Sequence, residues 1–156
     1  MEKEITTQDW NMVSEVELVY KSKVKPSQRL QIKKSSDVQE LLRQIWDENK
    51  IELMEQFKVI LLNRNNRVLG FFEASSGGVS GTVADPKLIF MAALKMNACA
   101  LIIAHNHPSG NKLPSEADKS LTLKIKEGAK LLDMSLLDHI IVTTEECFSF
   151  ADEGLL

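Results

Sequence analysis

Cysteine is scarce in this 156-residue chain. There are two, Cys99 and Cys147, and they form neither a CxxC pair nor a disulfide ladder. That excludes a disulfide-stapled secreted scaffold and makes a reducing, cytoplasmic setting the plain expectation. Long apolar runs are missing too: none approaches the roughly 18 residues that a membrane-spanning helix needs. The opening, MEKEITTQDW, is acidic and polar, unlike a signal peptide. Nor is there an excess of basic charge. The net charge is −3 and the pI about 5.7, which argues against a protein held on DNA mainly by its overall field. The one concentrated basic stretch, KSKVKPSQRLQIKK at 21–34, lacks the interleaved aromatics of a nucleic-acid stacking platform. It reads as a solvated edge whose lysines block sheet-to-sheet pairing, with a nucleic-acid or acidic-partner patch as the sharper alternative.

What is present is an ordinary globular composition, 44% apolar and 26% charged, without repeats or low-complexity tracts. Residues 1–15 read as a flexible leader and 16–156 as a single domain. VELVYKSKV (16–24) has strand-forming residues. A helix opens at SSDVQELLRQIWDE, capped by Ser35 or Ser36, with Val38, Leu41, Leu42, Ile45 and Trp46 on one stripe. FKVILLN (57–63) and RVLGFFEAS (67–75) flank the turn NRNN as a hairpin. SSGGVSGTVAD (75–85) is a loop whose Gly77, Gly78 and Gly81 would permit a moving lid. Asp85 and Pro86 then open the helix PKLIFMAALKMN. ACALIIAH (98–105) is almost wholly apolar, so it is expected in the centre of a sheet, with Cys99 as a small buried hydrophobe. A helix follows from Ser115, with an apolar row of Leu121, Ile125, Ala129 and Leu132. LLDHIIVTT (136–144) is a strand, with Cys147–Phe150 as a short partner. The class is α/β: a mixed sheet with flanking helices.

Chemistry concentrates in AHNHPSGNKLPSEAD, residues 104–118. His105 and His107 leave a buried strand at i, i+2, so both rings point the same way. Neutral imidazole is among the commonest zinc ligands. Asp118, in the first turn of the next helix, can face back toward the strand end. Two histidines and a carboxylate leave a fourth tetrahedral position for water, the layout of a catalytic rather than a structural zinc. The bland alternative is also consistent: Ser115 and Asp118 make a good helix opening, and the histidines could bond the loop backbone. The Pro/Gly-rich turn at the carboxyl end of a central strand is where α/β sheets place their sites. HExxH is absent, and no cysteine pair completes a deaminase pattern. His139, in an apolar strand, reads as a satisfied core histidine rather than a fourth ligand, and Ser109 as a turn residue.

The run His105-x-His107-x7-Ser115-x-x-Asp118 resembles the JAMM (MPN+) metalloprotease signature in letters and spacing. With LLDHIIV and SFADEGLL, it is similar to the RadC-like branch of that family, strongly over about 50–156 and more weakly over about 15–50. The resemblance implies an MPN/JAB-type, cytidine-deaminase-like layered fold and a zinc-dependent peptidase or isopeptidase acting on a peptide or protein. It implies zinc ligation by His105, His107 and Asp118, and an oxyanion-holding role for Ser115. An upstream glutamate would be the general acid/base; Glu55 matches best, with Glu52 and Glu73 as rivals. Longer RadC-like proteins carry a helix-hairpin-helix region associated with DNA, for which there is no room before residue 15. A second function class, a non-catalytic module linked to DNA repair, recombination or mobile elements, remains the alternative.

Overall fold

The computed structural model describes residues 14, 16–17, 19, 21–77 and 84–156. The leader at 1–15 (Ser14 apart) and the centre of the expected lid, 78–83, lie outside the described residues. After a 3-10 turn at Pro26–Gln28 come α1 (Ser35–Ile45), β1 (Gln56–Leu62), β2 (Val68–Ser76), α2 (Pro86–Lys95) and β3 (Ala100–Asn106). The chain ends with α3 (Glu116–Leu131), β4 (Ser135–Val142) and β5 (Cys147–Ser149). The architecture is the expected mixed α/β, with a single sheet ordered β2-β1-β3-β4-β5. β3 and β4 run parallel, bridged by α3 as a parallel pair requires; the other pairings are antiparallel.

Strand alternation divides the core between the two faces of the sheet. Phe57, Val59, Leu61, Leu101 and Ile103 pack against Ile89 and Ala93 of α2 and Ile125 and Ala129 of α3. Ile60, Leu62, Ile102 and Ala104 point the other way, onto Val38, Leu42 and Trp46 at and beyond α1. Every residue of β3 is buried, as an apolar strand covered on both sides must be. By the same alternation His105 emerges on the α2/α3 face at the carboxyl end of β3.

An irregularity in β4 decides which side chain accompanies it there. Leu101 pairs with Leu136, but Ile102 pairs with Asp138, so Leu137 is an extra residue, a β-bulge. Leu136 and His139 therefore share the α2/α3 face, although they are three positions apart. Without the bulge, Asp138 would occupy that face and His139 would point toward α1.

Four expectations need correction. In 16–24 the described residues form no strand; Val16, Val19 and Val24 are exposed, and no sheet edge among the described residues pairs with them. Ser35 and Ser36 are the first two residues of α1, not its cap. The Asp37 carboxylate reaches back to accept from the amides of Lys33 (2.8 Å) and Lys34 (3.1 Å), and Ser35 Oγ donates to Asp152 instead. Leu132 terminates α3 and is 39% exposed, so the buried row on this helix ends at Ala129. Cys99 is half-buried, one residue outside β3, so it is not a core position. Asp85 does cap α2, accepting from the Lys87 amide at 2.9 Å, with Pro86 behind it.

Candidate metal centre

β3 ends in the sequence His105-Asn106-His107, and each side chain has a different task. His105 is buried at the strand end. His107 follows beyond the strand, where its Nδ1 lies 2.6 Å from the carbonyl oxygen of Asn111. A carbonyl only accepts, so Nδ1 carries the proton and Nε2 faces the site. The turn that returns the chain is closed by the Gly110 amide donating to the His107 carbonyl at 3.0 Å. Gly110 adopts φ 81, the left-handed region that favours glycine. Ser109 serves this turn, accepting from the Asn111 amide.

α3 brings the carboxylate. Ser115 Oγ accepts from the Asp118 amide at 3.1 Å, and Asp118 Oδ2 accepts from the Ser115 amide at 2.7 Å, a reciprocal capping box. The other oxygen, Oδ1, lies 3.2 Å from His105 Nε2. Oδ2 is 3.5 Å from His107 Nε2, and the two Nε2 atoms are 2.9 Å apart. The helix-opening alternative and the ligand alternative are thus the same geometry: the cap aims the carboxylate.

The donors suit a metal. Atoms bound at about 2.0–2.1 Å to one tetrahedral zinc stand roughly 3.3 Å from each other. The separations of 2.9, 3.2 and 3.5 Å bracket that value, so His105, His107 and Asp118 could hold a zinc-sized cation. The electrostatics agree. Burial alone would push the Asp118 carboxyl up, but hydrogen bonds with His105 and His107 hold it far below the usual carboxylate range. The Asp118 carboxylate in turn raises the His107 pKa, against the opposing effect of burial.

Of the three glutamates, Glu55 lines the same cleft of about 390 Å³ as His107 and Ser115. Its charge also contributes to raising the His107 pKa. Glu52 is exposed and does not line the cleft. Glu73 pairs with Lys58 at 2.7 Å, and that ammonium lies over the Trp46 ring on the α1 side, so Glu73 belongs to the opposite face of the sheet.

Two residues of the site, Asn106 and Thr122, are not singled out by the sequence alone, nor is the contact of a third, His139, with the site. Asn106, wholly buried, alternates onto the α1 side. Its Nδ2 donates to the carbonyls of Ile51 (2.7 Å) and Met54 (2.9 Å), and its Oδ1 accepts from the Gln56 amide (2.7 Å). It therefore anchors the segment that carries Glu55. Its one signal is a lone amide between two histidines at the end of an apolar strand. Thr122 is visible only as the i+4 neighbour of Asp118 on α3. His139 is a buried, doubly bonded core histidine, as its strand suggests, but its partners are Thr122 and the site residue His105.

Among the described residues no helix is long and apolar enough to cross a membrane. The sequence profile of the RadC-like JAB domain matches residues 32–155. A protein of Flavobacterium johnsoniae named UPF0758 protein is 46% identical over 101 residues, 65% of this chain and 44% of the relative. A UPF0758 protein of Nitrosococcus oceani is 45% identical over 102 residues, 65% of this chain and 46% of its own. One from Chlorobaculum parvum is 40% identical over 126 residues, 80% of this chain and 55% of its own. The chain thus spans about half the length of the curated relatives it matches. With the histidine-rich strand end and the mixed sheet in place, the chain belongs to the RadC-like JAB domain family.

Proposed function

We propose that this chain is a zinc-dependent hydrolase of amide bonds, a JAMM-type peptidase or isopeptidase acting on a peptide or protein. One observation carries the reading: two imidazole nitrogens and a carboxylate converge within 2.9–3.5 Å, and one of the three residues, His107, lines an open cleft with Glu55 and Ser115. His105, His107 and Asp118 would hold the metal, which when bound supplies Lewis acidity and lowers the pKa of water to about 7. The rest is done by the protein's own groups. Glu55, in the cleft beside His107, takes a proton and returns it to the leaving amine. Ser115 Oγ already accepts from the Asp118 amide, so its hydroxyl proton remains to be donated to the oxyanion. Leu113 and the flanking prolines Pro108 and Pro114 give the cleft apolar walls suited to an extended chain.

Glu55→Gln separates chemistry from metal binding. It is expected to retain zinc at wild-type stoichiometry while losing about 10²–10⁴-fold in turnover of a quenched-fluorescent peptide library. Full turnover in that variant would remove Glu55 from the role. No turnover by the zinc-loaded wild type on peptides or isopeptide-linked peptides would remove the activity itself.

A further inference from the structure

The hydrogen bonding of His105 continues away from the cleft. Its Nδ1 lies 2.8 Å from Nε2 of His139, and Nδ1 of His139 lies 2.6 Å from Thr122 Oγ1. Thr122 Oγ1 in turn lies 2.6 Å from the main-chain carbonyl oxygen of Asp118. The chain of bonds starts at one candidate ligand and ends on the backbone of another.

Its direction is set at its far end. A threonine hydroxyl has one proton, and a carbonyl only accepts, so that proton goes to Asp118 O. Thr122 Oγ1 can then only accept from His139, which places the His139 proton on Nδ1. His139 has zero exposure, and its ring nitrogens meet only His105 and the Thr122 hydroxyl, with no carboxylate in hydrogen-bond reach to balance a charge. Phe150 stacks on it at 4.5 Å between centroids, and Phe57 lies against it from another side. In such surroundings the ring stays neutral, so its Nε2 carries a lone pair. His105 must then donate from Nδ1, so the neutral ring that a metal takes up presents its Nε2 lone pair toward His107 and Asp118.

We infer that Thr122 and His139 form a hydrogen-bond relay that fixes His105 as the Nδ1–H tautomer and so presents its Nε2 lone pair to a divalent cation. Both are positioning residues, and the inference rests on the proposed metal centre. The outer partner of a metal-bound histidine is commonly a carboxylate or carbonyl, which can only accept. An imidazole can present either a lone pair or an N–H to His105. Thr122 is needed because it settles which. The bulge at Leu137 is needed because it turns His139 onto the site face.

Thr122→Val tests the relay, since valine keeps the shape and removes both hydroxyl functions. Two readouts apply. In the metal-free protein at alkaline pH, imidazole nitrogen NMR is expected to show Nδ1–H forms for His105 and His139 in the wild type and a shift toward Nε2–H in Thr122→Val. By chelator competition, zinc affinity is expected to fall about 10–100-fold in Thr122→Val and to recover in Thr122→Ser, which keeps the hydroxyl. Unchanged tautomers with unchanged affinity would overturn the relay. So would equal losses in both variants without a tautomer change, which would mark Thr122 as packing alone. If Thr122→Val does not fold, His139→Gln, which offers an amide oxygen to His105, is expected to bind zinc and His139→Leu to bind it poorly; equal affinities would overturn the relay. A wild type that binds no zinc would end the metal reading, while the NMR would still decide the tautomer.

Discussion

Ser115 and Asp118 hold each other by two hydrogen bonds, at 2.7 and 3.1 Å, and this embrace points Asp118 Oδ1 at His105 Nε2, 3.2 Å away. A helix cap is therefore also the device that delivers the acidic donor to the candidate metal centre. Asp118→Asn keeps one oxygen for the cap but removes the charge. Zinc affinity is expected to drop by more than the roughly 10–100-fold that loss of an outer partner costs, with helical content by circular dichroism close to wild type. Zinc competition on a folded variant checks it. Wild-type affinity would exclude Asp118 as a ligand.

Ser115→Ala removes the other half of the embrace. Loss of a serine cap costs about 1 kcal/mol, which chemical denaturation would read. If Ser115 also donates to the oxyanion, turnover falls about 10²-fold or more, well beyond what that modest destabilisation explains. A stability loss without a catalytic one would leave Ser115 as a cap only.

Acid should empty the site. The His107 pKa is raised above its usual 6.5 by Asp118, while the Asp118 pKa is lowered. A metal must displace the His107 proton, so zinc affinity is expected to fall as pH drops through the raised His107 value, with proton release on binding. The sign for the metal-free fold is opposite. Because the folded pKa is raised, the His107–Asp118 contact is fully stabilising below pH 6.5 and that contribution is lost as pH rises through the folded value. The Asp118 contribution is present above the ordinary carboxylate range and fades only as pH falls toward its lowered value. Zinc titrations and thermal melts across pH test both signs; an affinity that is flat across the raised His107 pKa would contradict them.

Asn106→Ala should loosen the ground under Glu55. The substitution leaves the carbonyls of Ile51 and Met54 and the amide of Gln56 without their partner. A buried polar group left unpaired costs about 1–3 kcal/mol, so a loss of at least about 2 kcal/mol is expected by denaturant unfolding. Zinc affinity is expected to hold better than turnover, because His105 and His107 stay at the end of β3 while Glu55 shifts. The reverse ordering would show that Asn106 supports the ligands rather than the glutamate.

Much of this arrangement is legible in the sequence because local rules and the fold agree. The apolar run before His105 announces a central strand, period-two alternation puts both histidines on one side, and Asp85-Pro86 and Ser115-x-x-Asp118 open helices as such residues do. The rest depends on long-range pairing. Nothing local in LLDHIIV reveals that Leu137 is a bulge, yet that one extra residue decides whether His139 meets His105 or α1. Asn106 bonds a segment some fifty residues earlier, and Asp37 accepts from the amides of Lys33 and Lys34 just ahead of α1 while Ser35 bonds Asp152 at the far end of the chain. VELVYKSKV has strand composition, but composition supplies no partner edge.

Zinc stoichiometry tests the centre most directly. Elemental analysis of the purified chain after dialysis against zinc should give one zinc per wild-type chain and essentially none for a folded His107→Ala variant. Substoichiometric zinc that dialysis does not restore, or the same zinc content in both proteins, would contradict it.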